Sequence, residues 1–334
     1  MKKTTRLAAL LMVLALAFAL TACKGGETGA GKDAPTRVTL VLDYVPNTNH
    51  TGFYAAQKLG YYGDEGLEVS IVEPADNSVT TLVATGKADF GISFQEDVTY
   101  ALTAEEPLPI KAVAAIIQHN TSGFASLKSE NILRPRDFEG KVYAGWGSPS
   151  EETVIRAVMQ DDGADPDKLQ IQVSDSLDYT ALLGGVDILW IFWAWDGIAA
   201  IRAGLDLNYI ELRDIDRRLD YYTPVIIAGD GLLSQNPELA RKFLAATSRG
   251  YAYCVENPRA AAGILQEHVS GGYDLDMLVD SQTYLAGKYA EDAARWGEMR
   301  DEVWDSYTAF MAENGLINRA IPASECYTNE FLPQ

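Results

Sequence analysis

Between residues 37 and 228 the chain alternates short β-type runs with stretches of helical spacing, and that alternation restricts it to an α/β fold. Arg37 to Leu42 alternates as a strand, and Thr51 to Tyr61 has helical spacing with Phe53, Tyr54, Ala56 and Leu59 apolar. Strands follow at 67–73, 88–94 and 110–118, separated by helices at 78–85 and 97–103. A second set begins after Asn120, with a strand at 141–144, a helix at 149–160, strands at 169–173 and 186–192, a helix at 197–203 and a strand at 207–211. Val225 to Ala228 forms one more strand, and the remainder is mostly helical, with no repeat of fixed period. Such alternation implies parallel sheets. The 334 residues, 47% of them hydrophobic, supply apolar mass for two cores. The expected organisation is two α/β lobes, the first built from 37–119 and 225–334, the second from 120–224. Crossings near His119 to Ser122 and Thr223 to Ile226 form a two-strand hinge that permits closure on a ligand between the lobes.

The first 23 residues carry an address. Lys2, Lys3 and Arg6 precede an uncharged apolar run from Leu7 to Leu20, too short for a comfortable membrane span and followed by small residues. Leu20-Thr21-Ala22-Cys23 resembles the bacterial lipobox, in which cleavage leaves the cysteine first and its sulfur carries a diacylglyceryl group. Residues 1–22 thus read as a lipoprotein signal peptide, Cys23 as the lipidation site, and 23–36 as anchor plus Gly-rich tether. A flexible tether of this length reaches roughly 20 Å. The expected location is the outer face of a bacterial cell membrane, with membrane contact through the lipid alone.

Charge and composition exclude several functions. Lys and Arg number 27 against 47 Asp and Glu, a formal charge of -20, and no basic run offsets it. Binding to nucleic acid, which rests on neutralising phosphates, is excluded. The three His and three Cys lie far apart in sequence without metal-ligand spacing, so neither metal nor cofactor is expected. Cys254 and Cys326 read equally as a disulfide or as two buried thiols.

Ligands of open α/β sheets bind beyond the carboxyl ends of the strands, and polar and aromatic residues gather there in five loops. The first is Asp43-Tyr44-Val45-Pro46-Asn47-Thr48-Asn49-His50; the second is Gln95-Glu96-Asp97. The third holds Trp146, Gly147 and Ser148, the fourth Trp193-Ala194-Trp195-Asp196, and the return crossing carries Tyr221, Tyr222, Thr223 and Pro224. The candidate ligand contacts are Asp43, Tyr44, Asn47, Asn49, His50, Gln95, Glu96, Trp146, Ser148, Trp193, Trp195, Asp196, Tyr221, Tyr222 and Thr223. Structural roles compete with several of them. Ser148-Pro149-Ser150-Glu151 is also a capping box with Pro at the first helical position. Asp43 also suits an Asx-turn, and His50 a helix cap. Trp193 and Trp195, two apart in an extended segment, share a face that is either core or cleft. Of the adjacent Tyr221 and Tyr222, only one should face the cleft. No nucleophile elbow, phosphate-cradling Gly-rich loop or paired catalytic Cys and His is present. Aromatic faces with amide and carboxylate edges suit a planar heterocycle, and Glu96 or Asp196 can accept from an exocyclic amine.

These loops, with Gly60-Tyr61-Tyr62, Glu65-Gly66-Leu67, Glu73-Pro74-Ala75-Asp76, Gly86-Lys87-Ala88-Asp89-Phe90-Gly91 and Tyr222-Thr223-Pro224-Val225, resemble the substrate-binding proteins of ABC importers that carry thiamine pyrimidine precursors. That family is related to aliphatic-sulfonate binders and to fungal pyrimidine synthases. The resemblance implies a type II periplasmic-binding-protein fold and, as partners, a permease with its ATPase; a monomer is expected. The fungal-type synthases build the pyrimidine from pyridoxal phosphate and one of their own histidines. Their cofactor lysine aligns with Ser93, their donor histidine with Asp97, and their cysteine cluster with Asp220 to Thr223, so the resemblance implies binding without catalysis. Pyrimidine binders of the family tend to carry Glu after Trp-x-Trp, where this chain has Asp196. The expected ligand is a formylated aminopyrimidine or hydroxymethylpyrimidine; riboflavin, another flat heterocycle or a sulfonate are the alternatives on the same scaffold. A secreted enzyme and a sensor that passes the closed state to a receptor are further readings.

Overall fold

The computed structural model describes residues 34–74, 78–174, 178–270 and 273–334. The signal peptide, Cys23, the tether up to Asp33 and the Ala75-Asp76 pair lie outside the described residues. The chain divides into the units Met1–Ala34 and Pro35–Gln334, and both sheets lie in the second.

Ten strands form two five-stranded sheets. The first sheet contains β1 (Thr36–Val41), β2 (Leu67–Val72), β3 (Phe90–Ser93), β4 (Ile110–Ala115) and β10 (Val225–Gly229), in the order β2-β1-β3-β10-β4. The second contains β5 (Ser122–Leu127), β6 (Val142–Gly145), β7 (Gln170–Val173), β8 (Ile188–Phe192) and β9 (Leu207–Glu211), in the order β7-β6-β8-β5-β9. The two orders are equivalent strand for strand. Neither sheet is purely parallel, which corrects the sequence expectation. β1 runs parallel to β2 and β3, but β10 is antiparallel to both β3 and β4. In the second sheet β6 is parallel to β7 and β8, whereas β5 is antiparallel to β8 and β9. The reason is the hinge. Each crossing delivers a strand into the other sheet from the opposite end, so it enters against the direction of its neighbours.

The long helices follow their caps and apolar stripes. Asn236 accepts from Leu239 N at 3.3 Å and Pro237 opens the helix Pro237–Glu256, which buries Leu239, Ala240, Phe243, Leu244, Ala246, Thr247, Gly250, Tyr251 and Cys254. It lies across helix Thr51–Lys58, where Gly250 lets the backbones meet: a Cβ there would strike the Gly52 carbonyl. Helices Pro258–Gln266 and Leu275–Ala286 complete this face of the first sheet. Cys254 and Cys326 are both buried free thiols, so the open choice resolves against a disulfide.

The C-terminal region does not belong wholly to the first lobe. Helix Asp301–Glu313 places Tyr307, Phe310 and Met311 in the core of the second sheet with Phe124, Tyr143 and Trp190, while Trp304 packs in the first lobe. An amphipathic helix with two apolar faces can serve two cores, and this one spans the hinge side of the molecule. The crossings are clamped together beside it. His119, on the first crossing, bonds Asp220 of the second through Nδ1 at 2.7 Å and Asp292 through Nε2 at 3.1 Å. The Asp220 hydrogen bond pushes the imidazole pKa upward, favouring the doubly protonated ring that can donate to both carboxylates.

Candidate functional site

The loop after β1 is built around His50. Asn47 Oδ1 accepts from Asn49 N at 3.0 Å, and Asn47 N donates to His50 Nδ1 at 3.2 Å. Because Nδ1 accepts, the ring proton is on Nε2, and it is donated to Asp43 Oδ1 at 2.7 Å. His50 is fully buried with both nitrogens engaged, and Asn47 Nδ2 donates to Val45 O at 3.1 Å. Both were expected as ligand contacts; the structure instead uses them to shape the loop. Asp43 is oriented by His50, Tyr44 is 63% exposed, and Asn49 Oδ1 is buried without a partner. Tyr44 and Asn49 therefore remain open to a ligand.

The loop after β3 splits into a clamp and a tie. Gln95 accepts from Tyr222 N at 2.9 Å and donates to Val303 O at 3.1 Å, fully buried. It fastens the second crossing with one hydrogen bond from each end of its amide. Glu96 accepts from Ser150 Oγ, which belongs to the other lobe, and from Tyr307 OH at 3.2 Å. Burial pushes the Glu96 carboxyl above the ordinary range. Ser148 caps helix Pro149–Asp161 by accepting from Glu151 N at 3.1 Å, and it bonds Ser150 Oγ at 2.9 Å. Since Ser150 donates to Glu96, Ser148 donates to Ser150, giving a one-way hydroxyl chain between lobes.

The third loop is folded onto Glu151. Its carboxylate accepts from Tyr143 OH, from Trp146 N at 3.2 Å and from Gly147 N at 2.8 Å. The capping box is thus displaced: the glutamate reaches past the cap residue to the two N–H groups before it. An anion approaching these N–H groups finds them occupied. Trp146 is 43% exposed, with its ring 5.3 Å from Trp190 at 62°.

After β8 the residues Trp193–Gly197 form a single π-helical turn. The expected extended segment would have put both tryptophans on one face; a helical turn sends them apart. Trp193 lies over Gly197 and 4.6 Å from the Tyr209 ring, in the second lobe. Trp195 packs against the first lobe, 4.6 Å from the Tyr273 ring at 57°. Asp196 Oδ2 accepts from Phe192 N at 3.1 Å, and burial pushes its carboxyl up to about 6. On the return crossing both tyrosines are buried, and Tyr221 lies close enough to Glu96 and Asp97 for their charges to push its hydroxyl pKa up further. Tyr222 is buried in the first core with its hydroxyl accepting from Arg300 N at 3.0 Å, and Tyr221 stacks on Tyr307 at 4.1 Å. Thr223 is buried beside them.

The arrangement leaves Asp43, Tyr44, Asn49, Trp146, Trp195 and Asp196 as the side chains best placed to meet a ligand. Tyr273, Ser281 and Tyr307 escaped the sequence reading. Each joins the cleft loops from the helical C-terminal third, where no strand end or loop motif marks it. Among the described residues no His, Cys, Asp or Glu cluster suited to a metal ion occurs, and no helix is long and apolar enough to cross a membrane.

Two sheets of one topology, joined by two crossings, with polar loops at the strand ends, define a periplasmic-binding-protein fold. The aliphatic sulphonate binding protein SsuA from Escherichia coli superposes with a TM-score of 0.69 over 90% of this chain and 94% of that one, at 16% identity. Residues 47–261 match the NMT1/THI5 like family model, and the chain belongs to that family. Its relatives include the formylaminopyrimidine-binding protein of Halalkalibacterium halodurans, 23% identical over 95% of this chain and 97% of that protein. The riboflavin-binding protein RibY of Chloroflexus aurantiacus is 24% identical over 98% of both chains. A 4-amino-5-hydroxymethyl-2-methylpyrimidine phosphate synthase of Legionella pneumophila is 26% identical over 89% of this chain and 93% of that enzyme.

Proposed function

We propose that this protein is the extracytoplasmic substrate-binding component of an ABC importer and carries a thiamine pyrimidine precursor, formylaminopyrimidine or hydroxymethylpyrimidine, between its lobes. The observation that carries the reading is the Trp195-Asp196 pair at the end of β8. Trp195 offers a flat apolar face, and beside it stands a carboxyl whose pKa of about 6 lets it hold or release a proton near neutrality. The amidine edge of an aminopyrimidine presents an N–H next to a ring nitrogen. A carboxyl matches it with one oxygen accepting from the amine and, when protonated, the other donating to the ring nitrogen.

The five loops contain Asp43, Glu96, Asp97 and Asp196 but neither Lys nor Arg. With the Trp146 and Gly147 N–H groups already held by Glu151, this disfavours a sulfonate. Catalysis of the synthase kind is disfavoured at Ser93. It stands where those enzymes bind pyridoxal phosphate through lysine, and it donates instead to Asp97 at 3.4 Å. The residues present do not fit that cofactor. Riboflavin is the second reading, favoured by the full-length likeness to RibY and by the exposed Tyr44 and Trp146 rings.

The test is a thermal-shift panel on the chain without residues 1–23, using formylaminopyrimidine, hydroxymethylpyrimidine, thiamine, riboflavin and an alkanesulfonate. Ligand at about 100 times its dissociation constant adds roughly 2.7 kcal/mol of stability. A shift with a pyrimidine and unchanged ligand on recovery supports the reading. A shift with riboflavin alone replaces the cargo, and chemical conversion of the ligand replaces the class. Lipid anchoring at Cys23 is part of the proposal. Cys23→Ser should abolish incorporation of labelled fatty acid into the protein; label retained in the variant, or absent from the parent, would reject the anchor.

A further inference from the structure

A side chain from the C-terminal third links the Asp43–His50 loop to the Trp193–Gly197 turn. Between them stands Ser281, fully buried on helix Leu275–Ala286. Its hydroxyl donates to the Ala194 carbonyl, inside the π-helical turn that carries Trp195 and Asp196. A serine has one hydrogen to give, so the 2.6 Å contact between Ser281 Oγ and Thr48 Oγ1 runs the other way, with Thr48 donating. Thr48 sits in the Asp43–His50 loop and is itself buried, its carbonyl accepting from Tyr289 OH at 3.0 Å. Thr48, Ser281 and Ala194 form a dry, one-way chain from one lobe's loop to the other's. The other ties between this region and the second lobe are less directional: Ala194, Trp195 and Ala199 pack in one apolar cluster with Leu278, Val279 and Leu285, Arg202 pairs with Asp280 at 2.6 Å and with Asp274 at 3.6 Å on the exposed rim, and Tyr273 lies against Trp195.

We propose that Ser281 is a positioning residue for the ligand: one buried hydroxyl sets the Asp43–His50 loop against the Trp193–Gly197 turn and so fixes the spacing at which the two lobes present their side chains. The inference rests on the reading that Trp195 and Asp196 touch the ligand. In a water-excluded setting the chain has no competing partners, so its geometry is sharper than that of the rim ion pairs. Its consequence is that the two loops move together, and that the hydroxyl acts on affinity through them without touching the ligand.

The test is made on the full-length protein. Amide hydrogen exchange of ligand-free Ser281→Ala should accelerate about tenfold in both residues 47–51 and 193–198, with β6 and helix Pro149–Asp161 unchanged. Affinity for formylaminopyrimidine should fall about tenfold while the ligand-free melting temperature stays within a few degrees. Acceleration in one window only, or uniformly along the chain, overturns the proposal. Trp195→Ala run in parallel separates the two readings. If Trp195→Ala leaves affinity unchanged, the site assignment fails, while the exchange data still judge the coupling. If Trp195→Ala abolishes binding and Ser281→Ala leaves it intact, the positioning role fails alone. Should Ser281→Ala not fold, Thr48→Val removes only the donor: faster exchange at 47–51 with weaker binding supports the chain, and unchanged affinity overturns it.

Discussion

Asp196→Asn is expected to lower affinity for an aminopyrimidine by about a hundredfold and, at the same time, to make the ligand-free protein more stable above pH 6. The loss follows from replacing a charged acceptor in a largely buried site, where such hydrogen bonds contribute about 1.5–3 kcal/mol. The gain follows from the proton balance. Burial pushes the Asp196 carboxyl up to about 6, whereas in an unfolded chain it titrates at about 3.9. Between those values the folded state holds a proton that the unfolded state has released. Its contribution to stability is therefore complete below about pH 4 and is lost as pH rises through 6. Asparagine keeps an oxygen for Phe192 N and carries no charge, so melting temperatures of variant and parent should come together below about pH 4 and separate by a few degrees at pH 7.5. Allowing for partial solvent access, the difference corresponds to about 1–2 kcal/mol. Trp195→Ala should match the affinity loss without the pH-dependent gain. Titration calorimetry at both pH values, paired with thermal melts, measures all four quantities. An Asp196→Asn protein that binds as tightly as the parent would place the amine contact elsewhere.

Glu151→Ala should cost about 3–5 kcal/mol in folding stability, the largest loss expected from any single polar truncation at the cleft. The carboxylate gathers three donors, Tyr143 OH, Trp146 N and Gly147 N, and the glutamate is buried. Alanine leaves all three without their acceptor, and the loop is built tightly on that carboxylate: a Cβ at Gly145 would overlap it. Glu151→Gln keeps one oxygen and should lose less. Chemical denaturation of the three proteins measures the series. A change below about 1 kcal/mol for Glu151→Ala would mean that the loop holds its shape without the carboxylate. The same experiment bears on ligand class, because an anion that replaced the missing carboxylate would rescue the variant selectively.

Much of the fold was legible as local pattern. Nine of the ten strands lie on runs of alternating or β-rich residues, and each candidate loop lies beyond a strand end. The exception is β5, Ser122–Leu127. Its Gly and small residues carry little strand signal, and the glycine is there because a side chain at 123 would strike the Ile210 carbonyl of β9. Strand direction was likewise out of reach. β10 looks like one more member of a parallel series in sequence, and both it and β5 run antiparallel because the hinge feeds each from the far end of the molecule.

The site was legible in composition and less so in detail. The acidic, aromatic, Lys-free and Arg-free character of the loops was visible without coordinates, as was the pairing of Trp195 with Asp196, because neighbours in sequence stay neighbours in space. What the sequence did not reveal was which polar groups were already spent. His50 and Asn47 satisfy each other and Asp43, within one loop but through a geometry that only the short helix Thr48–His50 creates. Gln95 finds Tyr222 and Val303, Glu96 finds Ser150 and Tyr307, and Thr48 finds Ser281.

The sequence by itself determined the α/β class, the family, the export address as a reading and the sign of the cleft's charge, since each depends on composition or on residues a few positions apart. Tertiary structure alone decided the direction of the hinge strands, the parting of Trp193 from Trp195 and the division between structural and available side chains. The physical reason is the reach of the hydrogen bond. A buried donor takes whatever acceptor the fold brings within about 3 Å, and here those partners come from up to 241 positions away.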